Sequence, residues 1–449
     1  MTEEELDPAR RPARTRLIRI GLGLAALSGL LGGSAVPTAG HDWRRPLDHR
    51  AAAVAAQAPS DGSGDGGPTG YQRASGTVAA RAGSSRVYGR IQAVLDTQAA
   101  ALLRGDEKAF LAPADPARMA LVDDLRQRFT TLRAMSVAGW TEKLDGEPEP
   151  VEGGWRAQVR LGYCFVVSGC QPVTVPVSTR WAEHTGSPTL VEFGTSGTSD
   201  LGPRPWEVTD LRVAVGPRVV VAAAPRYADR VAEVLAAAEE AAGVADRYAR
   251  WSPPPGRYLV FLAGPEEWGR WYGVHQAEWV AGYAMPITDR HTEIVLNGQR
   301  VTTNEVVDTL RHEFTHVVTL ADVRRDYSKQ WWLVEGIAEY VRMVGRPLSE
   351  YELLAASRRY VQAGNTTNVM ELTEPPASAS TEDASGRYGV AFLSVRWLAE
   401  RFGEDRMLRF FDAVVRRGQS PEYAMTIELG VKWASVADEC AAYVRQNLD

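Results

Sequence analysis

Two stretches of the sequence organise the rest of the chain. The first is Arg311-His312-Glu313-Phe314-Thr315-His316, and the second, at 331–340, reads Trp-Trp-Leu-Val-Glu-Gly-Ile-Ala-Glu-Tyr. The first stretch predicts a helix, because apolar residues recur around it at spacings of three or four, as a buried helix face requires. His312 and His316 are four residues apart, so a helix places both imidazoles on one face. Two imidazoles in this arrangement can bind one tetrahedral zinc ion.

The residue between the histidines favours a catalytic site over a purely structural one. Glu313 is turned from His312 by roughly 100° around the helix. Its carboxylate can therefore reach a water on the metal without being a ligand, which is the position of a general base. A zinc site kept only for structure has no need of a base. Two alternatives stay open: a chance pair of core histidines, and a zinc site in a protein without turnover.

A third ligand is needed for a catalytic zinc site, and the second stretch offers one. The chain reads H-E-x-x-H, then eighteen residues, then Glu335 within W-L-x-E-G-x-A-E-Y. This pattern resembles the gluzincin metallopeptidases, which hold zinc with two histidines and one glutamate. The similarity is closest to the peptidase MA-like domains of bacterial secreted or anchored proteins. It covers roughly Ala214 to Asp449, about half of the chain.

The resemblance implies roles for individual residues. Zinc would be held by His312, His316 and Glu335, and the oxyanion donor would be Tyr388, since related domains place a tyrosine at the start of the corresponding helix. Arg387 is a weaker candidate, and Tyr388 could instead be packed core. Glu339, one helical turn after Glu335, is predicted to bond the outer ring nitrogen of a ligand histidine. The alternative is a solvated Glu339 paired with an arginine such as Arg342.

The implied activity is a zinc-dependent peptidase that acts on a peptide or protein. The implied fold is α+β: a thermolysin-like zincin domain with a short sheet, a zinc helix pair and a helical C-terminal lobe. The strand Glu293–Asn297 is predicted to form the sheet edge on which a peptide pairs by strand addition. No G-x-M-E-N segment precedes the motif, so exopeptidase specificity does not carry over. The rival function is an inactive zinc-binding scaffold or partner-binding protein at the cell surface.

The composition limits which other classes of partner are expected. The net charge is −6, and no long Lys/Arg cluster lies outside the N-terminus. This balance argues against a nucleic-acid partner. The sequence does not indicate an oligomeric state.

The N-terminal residues predict export and anchoring. Residues 1–19 form a basic tail, and the apolar run 20–36 follows. A basic stretch before such a run is typical of an export signal, and the run is just long enough to cross a bilayer. We expect a single-pass cell-membrane protein with its soluble domains outside the cytoplasm; secretion after signal cleavage is the alternative. Residues 37–85, rich in Gly, Ser, Ala and Pro, predict a flexible linker.

Between the linker and the peptidase-like region, residues 86–213 predict a separate α+β domain. Helix patterns come first and alternating strand patterns follow, at 134–144, 155–166, 173–181 and 190–193. This order weakly resembles the nuclear transport factor 2-like folds, and a spacer or partner-binding role is expected. Cys164 and Cys170 flank a short turn and predict a disulfide in an exported chain, which leaves Cys440 unpaired.

Overall fold

A computed structural model describes residues 73–165, 172–184, 186–196, 202–277, 279–323 and 325–448. The predicted tail at 1–19 and anchor at 20–36 lie outside these residues. No helix in the described part of the chain is long and apolar enough to cross a membrane.

The N-terminal part places helices before an antiparallel sheet, as the sequence predicts. The helices are α1 (Arg73–Arg104), α2 (Glu107–Leu111) and α3 (Met119–Ala134). The strands are β1 (Val137–Leu144), β2 (Glu149–Val151), β3 (Gly154–Phe165), β4 (Val173–His184) and β5 (Ser187–Phe193). The sheet order is β1-β3-β4-β5, with β2 paired to β3. α1 begins inside the range predicted as linker, because the alanine-rich sequence from Arg73 onward also suits a helix.

A second five-stranded sheet lies at the centre of the molecule. Its strands are β6 (Arg212–Val215), β7 (Val219–Ala223), β8 (Tyr258–Ala263), β9 (Gly282–Thr288) and β10 (His291–Asn297). Three short or medium helices accompany them: α4 (Pro205–Val208), α5 (Val231–Ala245) and α6 (Pro265–Arg270). The order is β6-β7-β8-β10-β9; β7, β8 and β10 are parallel, and the outer strands β6 and β9 are antiparallel.

The prediction that Glu293–Asn297 forms the edge of the sheet is wrong. The sequence stretch Glu293–Asn297 belongs to β10, which lies inside the sheet between β8 and β9. The edge beside the motif helix is formed by β9, which the sequence patterns did not reveal. Gly282 and Pro286 weaken the strand signal of β9, and proline within a sheet is found mainly on edge strands.

The C-terminal part of the chain is helical. Its helices are α7 (Val306–Thr319), α8 (Trp331–Arg342), α9 (Leu354–Gln362), α10 (Thr381–Phe402), α11 (Glu404–Phe411), α12 (Pro421–Ala424) and α13 (Ala437–Gln446). α8 packs closely on α10 at Gly336. A Cβ atom there would lie only 2.7 Å from the carbonyl oxygen of Ala391. Gly403, with φ of 89°, ends α10.

Both faces of the central sheet are buried. Val221, Val260 and Ile294 face α5 and α7 and belong to the core of the helical part. Val220 and Phe261 point to the opposite face and share a core with the N-terminal helices and sheet. The sheet therefore separates the motif helix from the N-terminal part of the chain.

The cysteines follow the sequence prediction as far as the structure describes them. Cys164, at the end of β3, is disulfide-bonded. Cys440, on α13, is a buried free thiol. Cys170 lies outside the described residues.

Candidate metal centre

The rotation of α7 directs the two motif histidines toward α8. Phe314 stacks on Tyr258 of β8 with ring centroids 4.1 Å apart, which anchors one side of the helix to the sheet. Leu310 is also buried in this core. His312 and His316 consequently lie on another side of the helix, and both are at least 98% buried, with exposures of 0% and 2%.

Three donor atoms converge between α7 and α8. His312 Nε2 lies 3.0 Å from His316 Nε2 and 3.1 Å from Glu335 Oε2. The third side of this triangle, from His316 Nε2 to Glu335 Oε2, is 3.4 Å. Tetrahedral zinc with bonds of about 2.0–2.1 Å needs donor atoms about 3.3 Å apart. The donor set, two imidazole nitrogens and one carboxylate oxygen, and its spacing therefore fit zinc.

The surroundings of these donors favour positive charge at the point where they meet. Burial alone would lower the pKa of His312, but hydrogen bonds to Glu335 and Glu339 raise it to about 10. Burial would raise the pKa of Glu335, but His316 and His312 lower it to about 2. Two buried carboxylates thus draw a charge to His312, and a divalent cation would satisfy the same requirement.

Glu339 lies behind the donor triangle and contacts both a histidine and an arginine. Its Oε1 is 2.8 Å from His312 Nδ1, the ring nitrogen that faces away from the other donors. Nη1 of Arg342 lies 3.3 and 3.4 Å from the two carboxylate oxygens of Glu339. The sequence analysis treated the histidine and the arginine as alternative partners, whereas the structure brings both to one carboxylate. Glu339 is 0% exposed, so the solvated alternative does not apply.

Glu313 lies beside the donors with its carboxylate uncommitted. The residue is 0% exposed, and neither of its oxygens has a hydrogen-bond partner among the described residues. Burial and the charges of Glu335 and Glu339 raise its pKa to about 8, while His312 opposes the rise. A buried carboxylate without a partner is costly to keep. A carboxylate next to the donor triangle has the position that a general base requires.

Tyr388 lies near the centre but not where the sequence analysis expected it within its helix. α10 begins at Thr381, so Tyr388 is two turns inside the helix rather than at its start. Its ring is 6.2 Å from the His312 ring and 5.0 Å from the Trp331 ring, centroid to centroid. Its hydroxyl is buried and has no hydrogen-bond partner in the described part of the chain. Burial, together with the charge of Glu335, holds its pKa well above the usual range, so the hydroxyl keeps its proton.

Arg387, the weaker candidate for the same role, is occupied elsewhere. Its guanidinium bonds Asp383 at 3.0 Å and the carbonyl oxygen of Thr373 at 3.2 Å.

Two neighbours of the centre escaped the sequence analysis. Gly282 of β9 abuts the motif helix, since a Cβ atom there would lie 3.3 Å from Glu313 Oε1. Glu352 accepts a bond of 2.5 Å from Arg342 and so extends the polar chain behind His312. Glu352 lies ten residues beyond Arg342 and past the end of α8, so no regular helical spacing signals the contact. Gly282 is brought to the helix by sheet pairing alone.

No protein-family profile and no curated protein matches the chain. Among solved structures, the crystal structure of the M1 zinc metallopeptidase from Deinococcus radiodurans is similar over 69% of this chain and 73% of its own. The sequence identity is 15% and the TM-score is 0.27. A similarity of this size does not establish a shared fold or a shared activity.

Proposed function

We propose that this chain is a zinc-dependent peptidase of the gluzincin type. The observation that carries the proposal is the triangle of His312, His316 and Glu335 donors beside the unpartnered, buried carboxylate of Glu313. Ligands without a base would suit a structural zinc site; ligands with a base suit hydrolysis.

His312, His316 and Glu335 would hold the zinc ion. Bound there, zinc supplies a Lewis acid and makes water acidic enough to react near neutral pH. Glu339 fixes the ring orientation of His312 through its bond to Nδ1, and Arg342 in turn holds Glu339. Such outer partners keep a ligand histidine in the tautomer that binds metal.

Glu313 would move the proton in the reaction. Its carboxylate takes a proton from the attacking water and later gives it to the leaving amine. Tyr388 would donate a hydrogen bond from its hydroxyl to the oxyanion that forms at the scissile carbonyl. This hydroxyl keeps its proton and has no other partner among the described residues. One well-placed donor of this kind contributes roughly 3–4 kcal/mol to the transition state.

The compartment of this activity is outside the cytoplasm in our proposal. The disulfide bond at Cys164 supports it, because disulfides persist mainly in oxidising surroundings. Attachment to the membrane through residues 20–36, and a peptide or protein as substrate, remain predictions from the sequence.

One observation favours the rival function, a zinc-binding scaffold without turnover. The ligands His312, His316 and Glu335, together with Glu313, are each at most 2% exposed. A site this enclosed must open before a peptide can enter, whereas a structural ion needs no opening. Turnover separates the two functions.

The test is hydrolysis of a quenched fluorescent peptide library by the zinc-loaded protein. We expect turnover by the wild type and a loss of roughly 10²–10⁴-fold in Glu313→Gln, because the base is removed while the ligands remain. The matched control is Glu382→Gln, which alters an exposed glutamate paired with Arg359 on the surface, and it should retain full activity. A wild type without turnover, or a Glu313→Gln variant as active as the wild type, would contradict the proposal.

A further inference from the structure

The outer edge of β9 offers main-chain groups beside the candidate base. β9 and β10 pair in the register Gly282↔Leu296, Tyr283↔Val295 and Ala284↔Ile294. The amide of Asn297 donates to the carbonyl of Ala281 at 2.8 Å, which makes that pair a hydrogen-bonded one. Antiparallel pairs alternate between bonded and non-bonded. The amides and carbonyls of Gly282 and Ala284 therefore point away from β10, toward the free edge of the sheet.

These outward groups are sheltered yet unpaired. Gly282 and Ala284 are both buried. No hydrogen bond from the described residues reaches their outward amides or carbonyls. Buried backbone groups without partners are rare in proteins. Two consecutive outward positions of this kind, in contact with the motif helix, indicate that another extended chain completes the edge.

The row of outward amide donors on this edge ends at Pro286. This proline pairs with Thr292, so it is the next outward position after Ala284. Proline has no amide hydrogen, and here the missing donor faces the free edge. At the other end, Gly282 adjoins Glu313, with 3.3 Å between its virtual Cβ and Oε1. The usable edge thus runs for four residues from the base to Pro286, about 13 Å.

We propose that this edge limits substrate recognition to a short extended segment on one side of the scissile bond. The substrate main chain pairs with Gly282 and Ala284 and gains no further amide donor beyond them. Beyond Ala284 the carbonyl of Pro286 can still accept one bond, but no amide is paired with it. The gain in main-chain recognition on that side therefore falls off after two or three residues. This inference rests on the proposed peptidase function.

The test uses the full chain loaded with zinc and two series of peptides built on one cleavable core. One series is extended residue by residue toward the N-terminus and the other toward the C-terminus, with glycine and alanine only. Turnover is measured with the wild type, and binding by fluorescence anisotropy with Glu313→Gln. Pro286→Ala restores the missing amide in both backgrounds. The matched control is Pro150→Ala, which makes the same change at an exposed position of β2 in the other sheet.

In one series, we expect binding and kcat/KM to rise over the first two or three residues and then level off, with roughly fivefold per added main-chain bond. Pro286→Ala should extend the rise by one further step, and Pro150→Ala should not. Binding that levels off with peptide length, without turnover, would support the proposed role of the β9 edge and refute the peptidase function. Turnover with binding that rises past the third residue equally in wild type and Pro286→Ala would refute the edge and leave the function intact. Absence of binding by any peptide would refute the edge as well.

Discussion

At the scale of single residues, the position of Glu339 shows what local spacing can and cannot reveal. Its helical spacing from Glu335 correctly places both carboxylates on the side of α8 that faces α7. Spacing along a sequence cannot tell whether a carboxylate prefers a histidine across the interface or an arginine one turn away. In the folded protein both partners contact one buried carboxylate.

We predict that Glu339→Gln weakens zinc affinity or peptide turnover by roughly 10–100-fold, the usual effect of losing the outer partner of a ligand histidine. The amide can still reach His312 Nδ1, but it lacks the charge that holds the ring, and Arg342 loses one of its carboxylate partners while it keeps Glu352. Competition with a chelator measures the affinity. Circular dichroism checks that the variant is folded. A folded variant with wild-type zinc affinity and turnover would show that Glu339 does not support the metal centre.

At the scale of elements, the sequence predicts what depends on local pattern and misses what depends on pairing. α7 and α8 are visible because their apolar residues recur at helical spacing. β9 is hidden, because Gly282 and Pro286 weaken its strand pattern, and its place at the edge follows only from pairing with β10. Tyr388 was expected at the start of its helix, but Ser380 caps α10 by accepting from the amide of Asp383. That cap lies eight residues before Tyr388, so Tyr388 is in the interior of the helix.

At the scale of the whole molecule, the N-terminal part of the chain completes the core of the central sheet. Glu293 of β10 is 0% exposed and points away from α7. Tyr163 of β3 donates to Glu293 Oε1 at 3.0 Å, and Tyr272 donates to Oε2. His291 lies 2.8 Å from the same carboxylate. Tyr163 and Glu293 are separated by 130 residues, so no sequence pattern indicates their contact. Residues 86–213, for which a spacer or partner-binding role is expected, thus share a buried contact with the central sheet.

We predict that Tyr163→Phe lowers the free energy of unfolding by about 1–3 kcal/mol near pH 7, because a buried carboxylate loses a donor. Burial would raise the pKa of Glu293, but His291, Arg204 and Tyr272 lower it below the ordinary value of 4.5. A lowered folded-state pKa stabilises the fold above the unfolded pKa and is lost as the pH falls through the folded pKa. The difference between variant and wild type should therefore shrink below about pH 4.5.

Urea denaturation across this pH range measures the effect, and Tyr423→Phe, on a side chain that is 56% exposed, is the control. Equal stability of Tyr163→Phe and wild type at pH 7 would show that the contact between the two parts does not depend on Glu293.

The central claim, that His312, His316 and Glu335 form a zinc site with Glu313 as its base, is tested most directly by zinc content after equilibrium dialysis. We predict one zinc per chain in the wild type and in Glu313→Gln, since the base is not a ligand, and a large loss in His316→Ala, since a ligand is removed. Equal zinc content in the wild type and His316→Ala would contradict the account.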